Sequence, residues 1–482
     1  MIGIEFPEFL IKVSVNLSLP ATKDPACREA ISCVYLPDAL DRLSDKFVEL
    51  NRKRVRDLDA RAVITFKGAK DVDVDDLGDA MRAVSIDVPT SGPEPEPKRK
   101  FVYYTDHPLL AASIAYSPHF IRTTERDEAD IVWVCYTLSD PRPVKRSSDV
   151  ASAPQCVNQF PNQNLLTVKD LLIATLHAYF GYAELKGWVP RTYNLNTECR
   201  EWLGEVVERR KRQGKRENGK EGADCEMEGN VWITKPWNGT RSEGCAVADA
   251  RKWGGVAELL KQGNRRLYYS GLGKCSDAEA RCRVHHFSSP DIERPYLISG
   301  KKLDLRVLAV VRSLEPLQIY LLQEDPFYAR CANKEYGLGR FDDFERHFTV
   351  MKYRGYDDTY IRHHNLLTHF VSTYGQDHVD RTLVPGIHRI VKRIFAAASA
   401  PELAKTAVGV AGHHARTRME PYEHARGIYG VDVIPDEGLM PWLLEVSFQP
   451  DLGQYMKWHP RVMADVFEFV FLNKGAEKFV QL

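Results

Sequence analysis

The stretch Gly427 to Asp451, GIYGVDVIPDEGLMPWLLEVSFQPD, constrains the fold more tightly than any other part of the chain. It reads as two short apolar strands, Tyr429–Ile434 and Trp442–Phe448, joined by a turn containing Pro, Asp, Glu and Gly. Side chains on a strand alternate faces. Leu443, Glu445 and Ser447 therefore share one side of the second strand, with Leu444, Val446 and Phe448 on the other. On the first strand Gly430, Asp432 and Ile434 point the same way. A turn centred near Gly438 makes Asp432 and Glu445 cross-strand partners. Opposed like charges weaken a sheet, and an unpaired carboxylate is costly to bury. Two readings are open: both acids face solvent on a half-exposed hairpin, or they bind a cation. A hard ion such as Mg2+ takes a few oxygen ligands and completes its shell with water and phosphate.

With 482 residues the chain exceeds one ordinary core, so two to four domains are expected. Its 44% hydrophobic and 27% charged residues are ordinary for globular domains. The formal net charge is zero, which gives no global field toward nucleic acid or membrane, and neither partner is expected. Ten cysteines occur without a CxxC pair, and their spacings do not suit zinc. With no secretory leader in Met1-Ile-Gly-Ile-Glu, reduced thiols in the cytosol or nucleus are the expectation. No apolar run approaches the ~20 residues that span a bilayer.

Residues 1–88 mix apolar segments with a charged helical stretch, roughly Pro37–Leu58, and form a separate N-terminal region. Residues 89–100 are a Pro/Glu/Lys linker. Phe101–Thr105 and Ile131–Cys135 read as buried strands around helical sequence near Pro108–Ser117, a small α/β unit. Leu165–Tyr182 reads as one amphipathic helix with Lys169 and Asp170 near its start. Glu208–Gly222, ERRKRQGKRENGKEG, reads as a solvated loop, with a nuclear-import or acidic-partner patch as the other option. Strands are expected at Val231–Thr234, Leu303–Val311 and Leu317–Leu322, and helices at Thr382–Ser399 and Val462–Phe471.

Four further features could carry chemistry. Lys235 ends a strand ahead of a loop holding Arg241 and Gly244, where a lysine and backbone N–H groups can meet a phosphate. Lys302, Asp304 and Arg306 fall on one face of an apolar strand, which either solvates a sheet or lines a charged cleft. Arg330, in a turn-like stretch after Pro326, is a candidate anion holder. The pairs His285-His286 and His413-His414 point to opposite faces on a strand, so each offers at most one metal ligand easily.

In order, Asn158–Asp170 (NQFPNQNLLTVKD), Trp232–Asn238 (WITKPWN), Lys302–Arg306 (KLDLR), His347–Tyr353 (HFTVMKY), Tyr429–Val433 (YGVDV) and Leu444–Pro450 (LEVSFQP) resemble the tubulin tyrosine ligase-like family. The resemblance runs from about Phe101 to Leu472, and part of residues 1–88 also resembles the end of a SET-like region. It implies a mixed α/β (α+β) class: an ATP-grasp fold with a small preceding α/β domain and the separate N-terminal region. The divisions it implies are 101–225, a central subdomain at 226–300 and a C-terminal subdomain at 301–474.

The resemblance also implies roles. Lys169 and Lys235 would contact ATP phosphates, with Lys302 and Asp304 lining the nucleotide site. Arg241, Gly244, His285, His286 and Thr349 stand at further nucleotide-site positions. Arg306 and Arg330 would hold the acceptor carboxylate or an acyl-phosphate, and Asp432, Glu445 and Ser447 would ligate Mg2+. The implied activity joins an amino acid to a carboxylate on tubulin at the expense of ATP, in the cytoplasm and at microtubules, with nuclear presence also compatible. Five positions depart from the family pattern. Ser447 replaces Asn, Val350 follows Thr349 in place of Asn, His285-His286 replace Gln-Lys, and Glu243 enters the loop beside Gly244. The expectation is therefore Mg-ATP binding with weak or atypical ligation, and the alternative is a catalytically inactive regulator of the modification of tubulin or another protein.

Overall fold

A computed structural model describes residues 100–142, 154–195, 198–217, 230–236, 242, 244–263, 286–290, 294–338, 340–349, 360–405, 407–408, 415–416 and 418–482. They belong to one unit, Pro95–Leu267 with Arg281–Leu482. The expected N-terminal region, its helix at Pro37–Leu58 and nearly all of the linker lie outside the described residues, as do Arg241, His285 and His413-His414.

The described chain opens with β1 (Phe101–Tyr104), α1 (Pro108–Ile114), β2 (Phe120–Arg122), β3 (Ile131–Val132) and β4 (Cys156–Val157). The four strands make a parallel sheet in the order β2-β1-β3-β4. Pro108 starts α1, where its missing N–H has no helical partner to lose.

The helix expected over Leu165–Tyr182 is two helices, α2 (Asn164–Thr167) and α3 (Lys169–Leu185). Val168 between them is extended (φ −102°, ψ 122°), so Lys169 becomes the first residue of α3. Gly181 (φ 73°) interrupts α3 near its end.

Next come β5 (Tyr193–Asn194), α4 (Cys199–Glu217), β6 (Val231–Pro236), β7 (Ala246–Asp249), α5 (Trp253–Gly263) and β8 (His286–Pro290). Their strands form an antiparallel sheet, β5-β8-β6-β7, over a core that includes Tyr193, Trp202, Trp232 and Leu259. Most of the basic run read as a loop belongs to α4 instead. Trp202 and Val206 anchor that helix in the core, and Glu205–Arg209 and Glu208–Lys211 pairs at helical spacing extend it.

The largest sheet contains β9 (Leu297–Ile298), β10 (Lys301–Leu314), β11 (Leu317–Leu322) and β12 (Phe327–Cys331). The helix α6 (Phe344–His347), strand β13 (Tyr360–Ile361) and helices α7 (His363–Tyr374), α8 (Gln376–Arg381) and α9 (Leu383–Ser399) follow, then a small pair of strands, β14 (Ala407–Val408) and β15 (Ala415–Arg416). The chain ends with β16 (Gly427–Pro435), β17 (Pro441–Phe448), α10 (Gly453–Trp458), α11 (Val462–Leu472) and β18 (Phe479–Gln481). The axis is β10, which pairs with β16 along one side and with β12 and then β11 along the other.

Alternation along β10 sorts its side chains. Leu303, Leu305, Val307 and Ala309 join the core that contains Ile387, Ile390, Ile394 and Phe395 of α9. Leu308 and Val310 join the core that contains Val466 and Phe467 of α11. Each large side chain buried this way contributes about 1.5–3 kcal/mol relative to exposure. Lys302, Asp304 and Arg306 continue the Leu308–Val310 row, so a charged patch begins where that apolar row ends.

The hairpin forms as expected, with one correction. Asp432 lies opposite Glu445, but the register shifts by one immediately afterwards, so that Val433 faces Leu443. The extra residue, Leu444, is a β-bulge, and it turns Leu443 onto the core face beside Val446. Simple alternation placed Leu443 with Glu445. Burial of Leu443 wins instead, and the bulge keeps both Leu443 inward and Glu445 on the charged face. Arg330 also differs from expectation, since it lies in the buried strand β12 rather than in a turn.

Candidate functional site

Three neighbouring strands carry one charged cluster. On β10, Lys302, Asp304 and Arg306 are buried on a single face. Asp304 lies opposite Arg330 on β12, and Arg306 lies opposite Asp432 on β16. Register therefore puts each acid next to a base before any side-chain choice is made.

The contacts are charge-assisted and largely bidentate. Arg306 donates from Nε to Asp432 Oδ1 (2.5 Å) and from an η nitrogen to Oδ2 (2.9 Å). Arg330 reaches the same Oδ2 at 2.8 Å and donates from Nε to Asp304 Oδ1 at 2.6 Å. The Thr349 hydroxyl donates to the other Asp304 oxygen. Lys302 sits over the Tyr336 ring, 5.4 Å from its centroid. The side chains of Asp432 and Arg330 are only 2% and 5% exposed, so these ion pairs are shielded from solvent.

Burial alone would raise the pKa of Asp432, but Arg306 and Arg330 hold it well below the usual carboxylate range. Asp304 moves the other way: burial and the nearby Asp432 charge push it up against the pull of Arg330. Burial opposes the charge on Arg330, but Asp304 and Asp432 raise its pKa well above the ordinary value.

The rim is built differently. Glu445 on β17 pairs with Lys169 at the start of α3, Nζ to Oε2 3.0 Å. Burial works against the Lys169 charge, and Glu445 more than offsets it, raising the ammonium's pKa. These side chains are 19% and 29% exposed, so this pair meets solvent while the inner cluster does not. Cys245, just before β7, is near enough to feel Lys235, Lys169 and Glu445, and burial pushes its thiol up to about 11.

Lys235 stands in β6 opposite Phe287, and Gly244 precedes β7 with φ 72°. His286 begins β8 opposite Pro236. Ser447 pairs with Gly430 on the same face as Asp432 and Glu445. The structure thus brings together Lys169, Lys302, Asp304, Arg306, Arg330, Thr349, Asp432, Glu445 and Ser447.

Two residues matter to this geometry without being among the expected ones. A Cβ on Gly430 would stand 2.7 Å from Pro450 Cβ and 3.0 Å from Arg306 Cδ, so the absent side chain makes room for the guanidinium. A glycine inside an apolar strand is the sequence signal for such close approach. Gln163 accepts a hydrogen bond from the Tyr429 hydroxyl (2.8 Å), tying the segment before α2 to β16. No local pattern in the sequence signals that contact.

The donor set suits a hard cation: two carboxylates and a hydroxyl, all oxygen, on one face of β16 and β17. Among the described residues no three His, Cys, Asp or Glu side chains are grouped to hold a metal ion. A metal here would therefore draw part of its shell from phosphate and water, as Mg2+ ordinarily does. Among the described residues no helix is long and apolar enough to cross a membrane.

Comparison with known proteins gives a consistent picture. A family model described as the tubulin-tyrosine ligase family matches residues 148–480. The chain is similar to the human tubulin–tyrosine ligase-like protein 12, 28% identical over 397 residues, which cover 78% of this chain and 51% of that protein. The Caenorhabditis elegans protein of that name is 26% identical over 385 residues, covering 78% of this chain and 50% of its own length. A probable alpha-tubulin polyglutamylase from Tetrahymena thermophila is 23% identical over 386 residues, 73% of this chain and 81% of its own. The chain spans about half the length of the first two relatives.

Proposed function

The chain belongs to the tubulin-tyrosine ligase family, and on that premise we propose that it is an ATP-grasp protein that binds Mg-ATP and tubulin and performs weak or atypical ligation. In this reading the small parallel sheet belongs to 101–225, the central subdomain is 226–300 and the C-terminal subdomain is 301–474. The observation that carries the proposal is the pairing of Lys169, Arg306 and Arg330 with Asp304, Asp432 and Glu445, with Lys302 in the same side-chain row of β10 as Asp304 and Arg306.

Lys169, with Lys235 and Lys302, meets the triphosphate. Arg241, Gly244, His285 and His286, together with Asp304 and Thr349, complete the nucleotide side. Arg306 and Arg330 present buried guanidinium forks to the acceptor carboxylate. A carboxylate oxygen attacks the γ-phosphorus, ADP departs, and an acyl-phosphate results. The amine of an amino acid then attacks the carbonyl carbon, phosphate leaves, and the ammonium proton is lost to solvent. Mg2+, held by Asp432, Glu445 and Ser447, would supply charge neutralisation at the phosphates. The residues of the chain contribute alignment and fixed positive charge in a shielded site. Weak activity follows from Ser447, whose hydroxyl is a shorter and less polar ligand than an amide.

Tubulin as the acceptor is supported by the names of the relatives, and a cytoplasmic, microtubule-associated location goes with that reading. A second reading, a non-catalytic regulator of tubulin modification, is favoured by Asp432, both of whose oxygens accept from guanidinium groups. Incubation with tubulin, ATP and labelled tyrosine, glutamate or glycine separates the two. Incorporation that disappears in Asp432→Asn supports ligation. Nucleotide binding without incorporation of any of the three supports the regulator.

A further inference from the structure

Resting on that nucleotide reading, we propose that the site takes nucleotide before metal: the free chain is latched against divalent cations, and bound phosphate opens the latch by drawing Lys169 away from Glu445. Every carboxylate of the cluster already has a cation of the chain. Asp432 is held by Arg306 and Arg330, Asp304 by Arg330, and Glu445 by Lys169.

The two halves of the cluster differ in accessibility. The inner ion pairs are almost fully buried, and removing one member strands the others in a poorly solvated environment. The outer pair, Lys169 with Glu445, is partly exposed and made by a lysine ammonium, a compact point charge, rather than by a guanidinium fork. It is the pair that can exchange. A phosphate gives the Lys169 ammonium a new anionic partner, and Glu445 beside Ser447 is then left for a cation. Mg2+ sheds water reluctantly and usually binds through one or two carboxylates plus phosphate oxygens, so it gains little from the latched face alone.

The experiment uses the whole chain and no enzymatic activity. Binding of Mn2+, as a paramagnetic stand-in for Mg2+, is followed by electron paramagnetic resonance with and without ATP, corrected for Mn-ATP formed in solution. ATP binding in excess EDTA is followed by calorimetry. The proposal expects measurable ATP binding in EDTA and Mn2+ binding that tightens about tenfold or more when nucleotide is present, with ATP tightening reciprocally. In Lys169→Met, Mn2+ should bind without nucleotide more tightly than it does to the natural chain. Equal Mn2+ affinity with and without ATP in the natural chain overturns the order, and that arm needs no variant to fold. ATP binding that requires metal also overturns it but leaves the nucleotide reading intact. Failure of ATP to bind in EDTA and in Mg2+ alike removes the nucleotide reading itself. A folded Lys169→Met that gains no Mn2+ binding excludes Lys169 as the latch.

Discussion

Asp432 and Glu445 face each other across β16 and β17, yet each carboxylate is neutralised from a different direction: Asp432 by Arg306 and Arg330, Glu445 by Lys169. The like-charge conflict implied by their pairing is thus resolved by cations of the chain itself. Removal of either acid should therefore affect stability as well as ligand binding, and to different degrees.

Asp432→Ala leaves Arg306 and Arg330 buried with much of their charge uncompensated. Loss of one partner from a buried ion pair costs about 3–5 kcal/mol. The expected result is a large fall in the midpoint of urea unfolding. Lys169→Met breaks the partly exposed pair and should lower stability far less in the same measurement, since such pairs are worth about 1 kcal/mol or less.

Gly430→Ala adds a methyl group against Pro450 and Arg306. Overpacking of this kind costs about 1–3 kcal/mol. Displacement of Arg306 should also weaken Mg-ATP binding by calorimetry. A variant as stable as the natural chain would show that the guanidinium does not need the space.

Tyr429→Phe removes the hydroxyl that donates to Gln163 Oε1 in the core. Leaving a buried acceptor unsatisfied costs about 1–3 kcal/mol. The loss should appear in urea unfolding with little change in nucleotide affinity, because the bond lies on the opposite face of β16 from Asp432.

His177 sets an acid limit on stability. Burial, reinforced by Arg191, lowers its pKa from 6.5 to about 4. A group whose folded pKa is depressed binds more protons when unfolded, so its contribution to stability is lost as pH falls from about 6.5 toward 4. His177→Gln should flatten the dependence of thermal unfolding temperature on pH across that window.

Much of the site was legible from local sequence. Period-two alternation was enough to align Lys302, Asp304 and Arg306, and the length of the turn around Gly438 was enough to pair Asp432 with Glu445. Alternation failed at Leu444, because a bulge is set by competition between core burial and strand pairing, which no short window contains. The turn reading of Arg330 failed because Pro326 suggested a turn where cross-strand pairing with β10 carries β12 from the very next residue. The double grip of Arg306 and Arg330 on Asp432 depends on three strands meeting, with partners more than a hundred residues apart in sequence. The ion pair between Lys169 and Glu445 likewise joins residues distant in sequence, with Lys169 at the first position of the helix that follows the extended Val168.

The most direct test of the account is thermal unfolding of the chain in saturating Mg-ATP, with Glu445→Gln run in parallel. Ligand at about 100 times its dissociation constant stabilises the fold by about 2.7 kcal/mol. The account predicts a clear rise in unfolding temperature for the natural chain and a smaller rise for Glu445→Gln at the same ligand concentration. An unfolding temperature unmoved by millimolar Mg-ATP would contradict it.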